Sequence, residues 1–166
     1  MNQAQGAIDA AKAAGAEQFA ATELAAAVDA LRRSEEFVTQ RDYRQALNYA
    51  IEGREQAQAA AKAAVEARAR ARGDAEALLA EATTLLAQAR AQLRNADGTR
   101  VSRRALQDAR ETIDGAQTSV QNARTALNSD DYAQARKALE GVSKRIRSAI
   151  SQISDSTEPA GTRRRR

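Results

Sequence analysis

The spacing of apolar side chains in the second half of the chain constrains the fold more than any other feature. Two series recur at alternating intervals of three and four residues: Leu106, Ala109, Ile113, Ala116, Val120, Ala123 and Leu127, then Tyr132, Ala135, Leu139, Val142, Ile146, Ala149 and Ile153. This spacing places each series on one face of an α-helix, as in a coiled-coil interface. The polar run 128–131 between them, with Ser129 or Asp130 as candidate N-cap, predicts an antiparallel helical hairpin.

The first half follows the same spacing with smaller side chains. One predicted helix starts near Thr22, and the next is lined almost entirely by small residues. The apolar positions are Leu24, Val28, Leu31 and Val38 on the former, and Tyr43, Ala46, Ala50, Gly53, Ala57, Ala60, Ala64, Ala67 and Ala71 on the latter. A face of Ala and Gly permits close approach of two helices but buries little apolar surface.

Helix-breaking signals divide the rest of the chain. At Gly73 the pattern is interrupted, so residues 42–94 form either one helix or two helices that meet there. Residues 95–100 predict a turn, and residues 154–166 predict a disordered basic tail. The predicted fold class is therefore all-α, an elongated antiparallel bundle of about four to six helices with hairpin turns at about residues 40–43 and 128–131. Its first unit covers residues 1–94, and its second, residues 101–153, packs with the first as one domain.

A shift of 89 residues superposes two copies of a short motif. In the motif an Asp precedes a Tyr, and an Ala follows three residues after the Tyr: Asp42, Tyr43 and Ala46 in the first copy, Asp131, Tyr132 and Ala135 in the second. Asp suits the N-terminus of a helix, Tyr is expected to fill the end of the hairpin, and Ala lets the two helices approach. The sequence predicts a repeated unit of helix, tight turn and helix.

The residue types argue against an enzyme. The chain contains neither Cys nor His, which removes thiol nucleophiles, disulfides, the usual zinc sites and the commonest general base. Its 42 Ala residues and its 29% of charged residues are typical of long helices. We therefore predict no catalytic residues, no metal, no cofactor and no small-molecule substrate.

The positive charge is concentrated at one end. The formal net charge is +4, and four consecutive residues, Arg163, Arg164, Arg165 and Arg166, account for all of it. Such a segment attracts phosphate, whether in nucleic acid, an anionic lipid or lipopolysaccharide. No stretch is long and apolar enough to span a bilayer, and residues 1–15 show no secretory signal.

The first half resembles a known family in the stretch Ala13–Ala20, in Glu23 and Leu24 before an Ala-rich helix, and in Asp42 and Tyr43 followed by Ala46 and Ala50. These residues are similar to an uncharacterised Ala-rich helical family of bacterial cell-envelope proteins, with residues 101–153 as a weaker second copy. Members are typically lipoproteins or lie beside OmpA-like peptidoglycan-binding modules. The resemblance implies a periplasmic location and no assigned activity.

Three functions follow as hypotheses. The first is a non-enzymatic scaffold or protein-binding module of the bacterial cell envelope. The second is a cytoplasmic protein that contacts nucleic acid or the ribosome through its arginine tail. The third is self-assembly through coiled-coil packing, because the heptads after Leu106 could pair between chains as well as within one. A protein partner or self-association is expected in the first and third cases.

Overall fold

The computed structural model describes residues 1–96 and 102–157, with side chains described as far as residue 154. These residues form seven helical segments and no strand. The segments are α1 (Asn2–Ala13), α2 (Ala16–Phe19), α3 (Ala21–Thr39), α4 (Tyr43–Ala96), α5 (Arg103–Asn128), α6 (Tyr132–Leu139) and α7 (Val142–Thr157). The all-α prediction is confirmed. The two predicted hairpin turns lie between α3 and α4 and between α5 and α6.

The chain divides into two compact units, Met1–Ala71 and Arg72–Arg166. The division falls inside α4, whereas the sequence suggested a boundary at residues 95–100. Helix α4 runs through Gly73 without a break, which settles the alternative that the sequence left open. A single Gly in a helix interior costs only about 1 kcal/mol relative to Ala, so the surrounding Ala, Arg and Leu residues carry the helix across it.

The core of the first unit is built from small side chains. Helices α1, α2 and α3 pack against the first part of α4 around Ile8, Leu24 and Leu31, and most of the remaining buried positions are Ala: Ala4, Ala11, Ala16, Ala20, Ala27, Ala57, Ala60 and Ala64. The predicted Ala face of α4 is confirmed from Ala46 to Ala64. The prediction for Val28 is wrong, because the buried face of α3 is centred on Ala27 and Leu31 and leaves Val28 at its edge, 45% exposed.

The first hairpin is held by contacts between α3 and α4. A Cβ on Gly53 would lie only 3.2 Å from the backbone oxygen of Ala27, so the two helices touch backbone to backbone at this point. Nearer the turn, the buried Ser34 hydroxyl donates a hydrogen bond of 2.8 Å to the carbonyl oxygen of Ala46. Phe37 and Tyr49 stack with ring centroids 5.3 Å apart. The hairpin is therefore closed by small-residue packing, one buried polar contact and one aromatic pair.

The second unit buries larger side chains. All seven positions of the predicted series from Tyr132 to Ile153 are buried, and they pack with α5 and with the later part of α4. The heptads after Leu106 are therefore used inside one chain. Arg147 of α7 and Glu81 of α4 form an ion pair of 2.6 Å across the surface of this unit.

Three local predictions need correction. The series from Tyr132 to Ile153 is not one helix, because Gly141 takes a left-handed φ of 68° and separates α6 from α7. Asn95 and Ala96 belong to α4 and not to a turn, and residues 154–157 belong to α7 and not to the tail. Residues 97–100 of the predicted turn, residue 101, and residues 158–166, which include Arg163 to Arg166, lie outside the described residues.

Within residues 1–96 and 102–157, none of the helices combines the length and apolar content needed to cross a bilayer.

Candidate functional site

The two hairpin turns have the same backbone construction. Arg41 and Asp130 take left-handed φ values of 61° and 59°. The next residue donates its N–H to a carbonyl five positions earlier, Asp42 to Phe37 and Asp131 to Ala126, both at 2.9 Å. This is the Schellman ending of a helix with a non-glycine residue in the left-handed position. Each turn thus consists of one left-handed residue and one residue that starts the next helix.

The aspartates of the motif act as N-caps. The side chain of Asp42 accepts a hydrogen bond of 3.0 Å from the N–H of Gln45, and Asp131 accepts one of 2.9 Å from Gln134. The capping role expected from the motif is confirmed. The cap of the second hairpin is therefore Asp131, one or two residues beyond the candidates Ser129 and Asp130.

The shift of 89 residues also relates the buried positions of the two hairpins. Each pair of residues that follows is buried in both copies: Ala20 and Ala109, Leu24 and Ile113, Ala27 and Ala116, Leu31 and Val120, Ser34 and Ala123, Ala46 and Ala135, Ala50 and Leu139, Gly53 and Val142, Ala57 and Ile146, Ala60 and Ala149, Ala64 and Ile153. The motif residues Ala46 and Ala135 thus have the expected role. The first copy has the smaller side chain at four of these positions, Ala50, Gly53, Ala57 and Ala64.

The tyrosines of the motif break this correspondence. Tyr132 is buried, and its hydroxyl donates a hydrogen bond of 2.5 Å to the Asp130 carboxylate. Tyr43 is exposed, so the prediction that it fills the hairpin end is wrong. In the second unit Ala75 of α4 lies beside Ala126 and Ala135 at the same end of the hairpin.

Tyr43 belongs to an apolar stripe on α4 formed by Tyr43, Leu47 and Ile51. These residues recur every four positions and therefore share one side of the helix, and Leu47 and Ile51 are 60% and 40% exposed. Among the described side chains, every large exposed hydrophobic residue lies in the first unit. At the positions equivalent to Leu47 and Ile51, the second hairpin carries the polar residues Arg136 and Glu140.

An open groove of about 410 Å³ borders the apolar stripe. Its walls are the start of α1, with Met1 and Gln3, and the turn of α4 that carries Leu47, Ile51 and Arg54. Arg54 donates a hydrogen bond of 3.2 Å to Gln3. Its buried Nε has no hydrogen-bond partner among the described atoms. The groove thus offers apolar surface together with one guanidinium group that is incompletely satisfied.

The second unit carries a different surface, a basic groove lined by Arg136, Lys137, Lys144 and Arg147. The groove has a volume of about 710 Å³ and an apolar floor that includes Leu78. Two carboxylates, Glu81 and Glu140, also line it. Arg147 is paired with Glu81. The other three basic side chains form no ion pair with the residues that the structure describes.

In the part of the chain that the structure describes, no group of three or more acidic residues is arranged to hold a metal ion. The Asp29 carboxylate has its pKa lowered below its ordinary value of 3.8, chiefly by a hydrogen bond from Arg32. Asp29 is exposed on α3 with no nucleophile or acid beside it in the chain, so its lowered pKa reflects a surface ion-pair cluster.

The apolar spacing assigns Tyr43 to the buried face of α4 and leaves Leu47 and Ile51 out of that face. The sequence analysis therefore does not predict the apolar stripe. The signal was nevertheless present in the alignment of the two motifs. In that alignment Leu47 and Ile51 occupy the positions of the charged residues Arg136 and Glu140. Apolar side chains at positions that are exposed to solvent indicate a contact with another molecule.

The chain was compared with protein-family models, curated proteins and solved structures, and none of the three comparisons finds a match. The resemblance to the Ala-rich envelope family therefore stays a prediction.

Proposed function

We propose that the protein is a non-enzymatic helical scaffold that binds another protein through the apolar stripe Tyr43, Leu47 and Ile51. One observation carries this proposal. Large apolar side chains stand exposed in a row on the first hairpin, while the described positions equivalent to Leu47 and Ile51 on the second hairpin are charged.

The energetics favour burial of this stripe by a partner. Tyr43, Leu47 and Ile51 are 67%, 60% and 40% exposed. Because full burial of a large apolar side chain contributes about 1.5–3 kcal/mol, covering the exposed part of these three contributes about 2.5–5 kcal/mol. A micromolar interaction has a free energy of about 8 kcal/mol, so contacts around the stripe must supply the rest and offset the entropy cost of association. Tyrosine, which begins the stripe, is also among the residue types most often found to anchor protein interfaces.

The surroundings of the stripe favour a protein partner over a membrane. Arg44, Glu52, Arg54 and Glu55 flank it and carry charges of both signs. An anionic bilayer attracts helices whose polar face is mainly basic. Mixed charges suit the rim of a protein interface instead, where they select a partner by complementarity.

A photo-crosslinking residue at Asn48, which is exposed beside the stripe, tests this function in the native cell. We expect defined crosslinked products that disappear when the same chain carries Leu47→Arg and Ile51→Glu. The same crosslinker at the exposed Asn122 of α5 is the matched control. Identical products from Asn48 in both backgrounds would contradict the proposal.

We further propose, from the family resemblance, that the partner and the scaffold lie in the bacterial cell envelope. The location is tested separately from the binding. Recovery of the native protein with the periplasmic or membrane fraction supports the envelope assignment. Recovery from the cytosol would remove that assignment and leave the scaffold function untouched.

A second candidate function is recognition of a polyanion, and the basic groove favours it. Arg136, Lys137 and Lys144 carry charges that the described residues leave unpaired, and the Arg163–Arg166 segment would add to them. Binding of a labelled RNA of mixed sequence at low salt is the test. If this candidate is correct, Lys137→Glu with Lys144→Glu weakens retention and flattens its salt dependence. The scaffold function requires no such retention.

A further inference from the structure

The second unit shows what covers a surface of this kind. There the beginning of its own segment of α4 lies against the end of the second hairpin, where Ala75 packs with Ala126 and Ala135. The α4 segment runs from Ala75 at the turn end of the hairpin to Ala96 at the other end, so Arg72, one turn before Ala75, lies at the level of the turn itself. A third helix therefore lies at the end of the hairpin where Tyr132 is buried.

In the first unit the corresponding third helix is α1, but it covers less. Ile8 and Ala11 of α1 pack with Ala57, Ala60 and Ala64 of α4, and Gln3 is level with Arg54. Tyr43 lies about three turns of α4 before Arg54, and Leu47 and Ile51 line the groove together with Met1 and Gln3. The described part of α1 therefore leaves about two helical turns of α4 uncovered.

We propose that a single α-helix of the partner protein occupies this space, in line with α1 and alongside the apolar stripe. In the second unit, the part of α4 from Arg72 onward packs as a third helix against the second hairpin. The partner helix would take the equivalent place against the first hairpin. This inference rests on the proposed scaffold function and adds the secondary structure and chemistry of the partner segment. Recognition of an apolar helix face by a groove is a common mode of protein binding.

Small residues are expected on the face of this helix. Ala50 forms part of the groove wall, and in the second unit the covering helix presents Ala75 and Ala82 as fully or almost fully buried residues. Ala at the contact allows the partner helix to approach α4 while Leu47 and Ile51 supply most of the apolar area.

An acidic residue is expected at one end of the helix. In the second unit Arg72 of the covering helix lies at the level of the turn that contains Asp130, but Arg41 takes the position equivalent to Asp130 in the first unit. A carboxylate on the partner helix would therefore complement Arg41. The same argument disfavours a second copy of this chain as the occupant through residues 72–82, since that would place Arg72 against Arg41.

Two labelled synthetic peptides test the inference against the full chain by fluorescence anisotropy. One copies residues 72–93 and the other is identical except for Arg72→Glu. We expect the Glu peptide to bind about fivefold more tightly than its Arg counterpart. The Glu side chain forms one surface ion pair with Arg41, whereas the Arg side chain is repelled by it, and the difference has about this size. In the Arg41→Glu variant the preference should reverse.

Variants of the stripe supply the control. Leu47→Arg with Ile51→Glu installs the residues of the second hairpin, leaves the net charge unchanged and should weaken binding of the Glu peptide at least about tenfold. Val65→Arg with Val28→Glu makes the same chemical change at two exposed apolar positions outside the stripe. Binding to this control variant should stay within about twofold of the unmodified chain.

Distinct results would overturn the inference and the proposed function. If Asn48 yields specific crosslinks in the cell while neither peptide binds, the scaffold function stands and the helical partner is wrong. If neither experiment detects binding, both proposals fall. A concentration-dependent mass in light scattering that is abolished by Leu47→Arg with Ile51→Glu would replace the partner helix with a second copy of the chain.

Discussion

Tyr43 and Tyr132 follow N-capping aspartates at equivalent positions of two similar hairpins, yet Tyr43 is 67% exposed and Tyr132 only 3%. Backbone conformation cannot explain the difference, because both turns use a left-handed residue and the same hydrogen bonds. The helix that covers the end of the second hairpin explains it. Substitutions at the two tyrosines are therefore expected to have very different costs.

Tyr132→Ala should lower the free energy of unfolding by about 3–5 kcal/mol, because it removes a buried aromatic ring. Tyr43→Ala should change it by no more than about 0.5 kcal/mol, as expected of an exposed residue. Urea denaturation followed by far-ultraviolet circular dichroism measures both. Tyr132→Phe, which loses only the hydrogen bond to Asp130, should cost about 1 kcal/mol. Equal costs at positions 43 and 132 would contradict the structure.

Arg41→Gly should stabilise the protein by about 1 kcal/mol, because a left-handed conformation costs a non-glycine residue this much and costs Gly nothing. The matched substitution Asp130→Gly relieves the same strain but also removes the acceptor of the Tyr132 hydroxyl. Its net gain should therefore be smaller than that of Arg41→Gly. Thermal denaturation of both variants decides the point, and a destabilised Arg41→Gly chain would argue against the left-handed turn.

Gly53→Ala should destabilise the first hairpin by about 1–3 kcal/mol, because the new methyl group would press on the backbone of α3. Gly73→Ala and Gly115→Ala lie in helix interiors with nothing within 4 Å of the added Cβ. Each should instead stabilise its helix by about 0.5–1 kcal/mol. Chemical denaturation of the three variants gives the comparison. The same sign for all three would show that α3 and α4 do not approach closely at Gly53.

Asp29 should titrate below its ordinary pKa of 3.8 because Arg32 donates a hydrogen bond to its carboxylate. A lowered pKa in the folded state means that this ion pair stabilises the protein above the unfolded-state pKa. The contribution is lost as the pH falls through the folded-state pKa. Nuclear magnetic resonance of the side-chain carboxyl measures the titration. Arg32→Gln should raise the pKa more than Arg33→Gln does, and equal effects would argue against the hydrogen bond.

The sequence by itself determined the helices and most of their buried faces. The series from Tyr132 to Ile153 is buried at every position, and the Ala face of α4 is buried from Ala46 to Ala64. This follows because apolar residues spaced three and four positions apart lie on one face of an α-helix, and burying that face removes them from water. The capping role of Asp42 and Asp131 could also be predicted from the sequence, because an N-cap accepts hydrogen bonds from backbone N–H groups within its own turn.

Only the tertiary structure decided which apolar residues stay at the surface. Val28 and Tyr43 lie at the edges of buried faces, and their exposure depends on whether a neighbouring helix reaches them. Gly141 and Gly73 are similar cases, because Gly permits both a left-handed turn and a helix. Gly141 takes a left-handed conformation and ends α6, whereas Gly73 lies inside α4. The apolar stripe Tyr43, Leu47 and Ile51 could be recognised only in the tertiary structure, which shows that no helix of the described residues covers these side chains. Helical periodicity fixes the face of a side chain, but only the positions of the other helices determine what lies against that face.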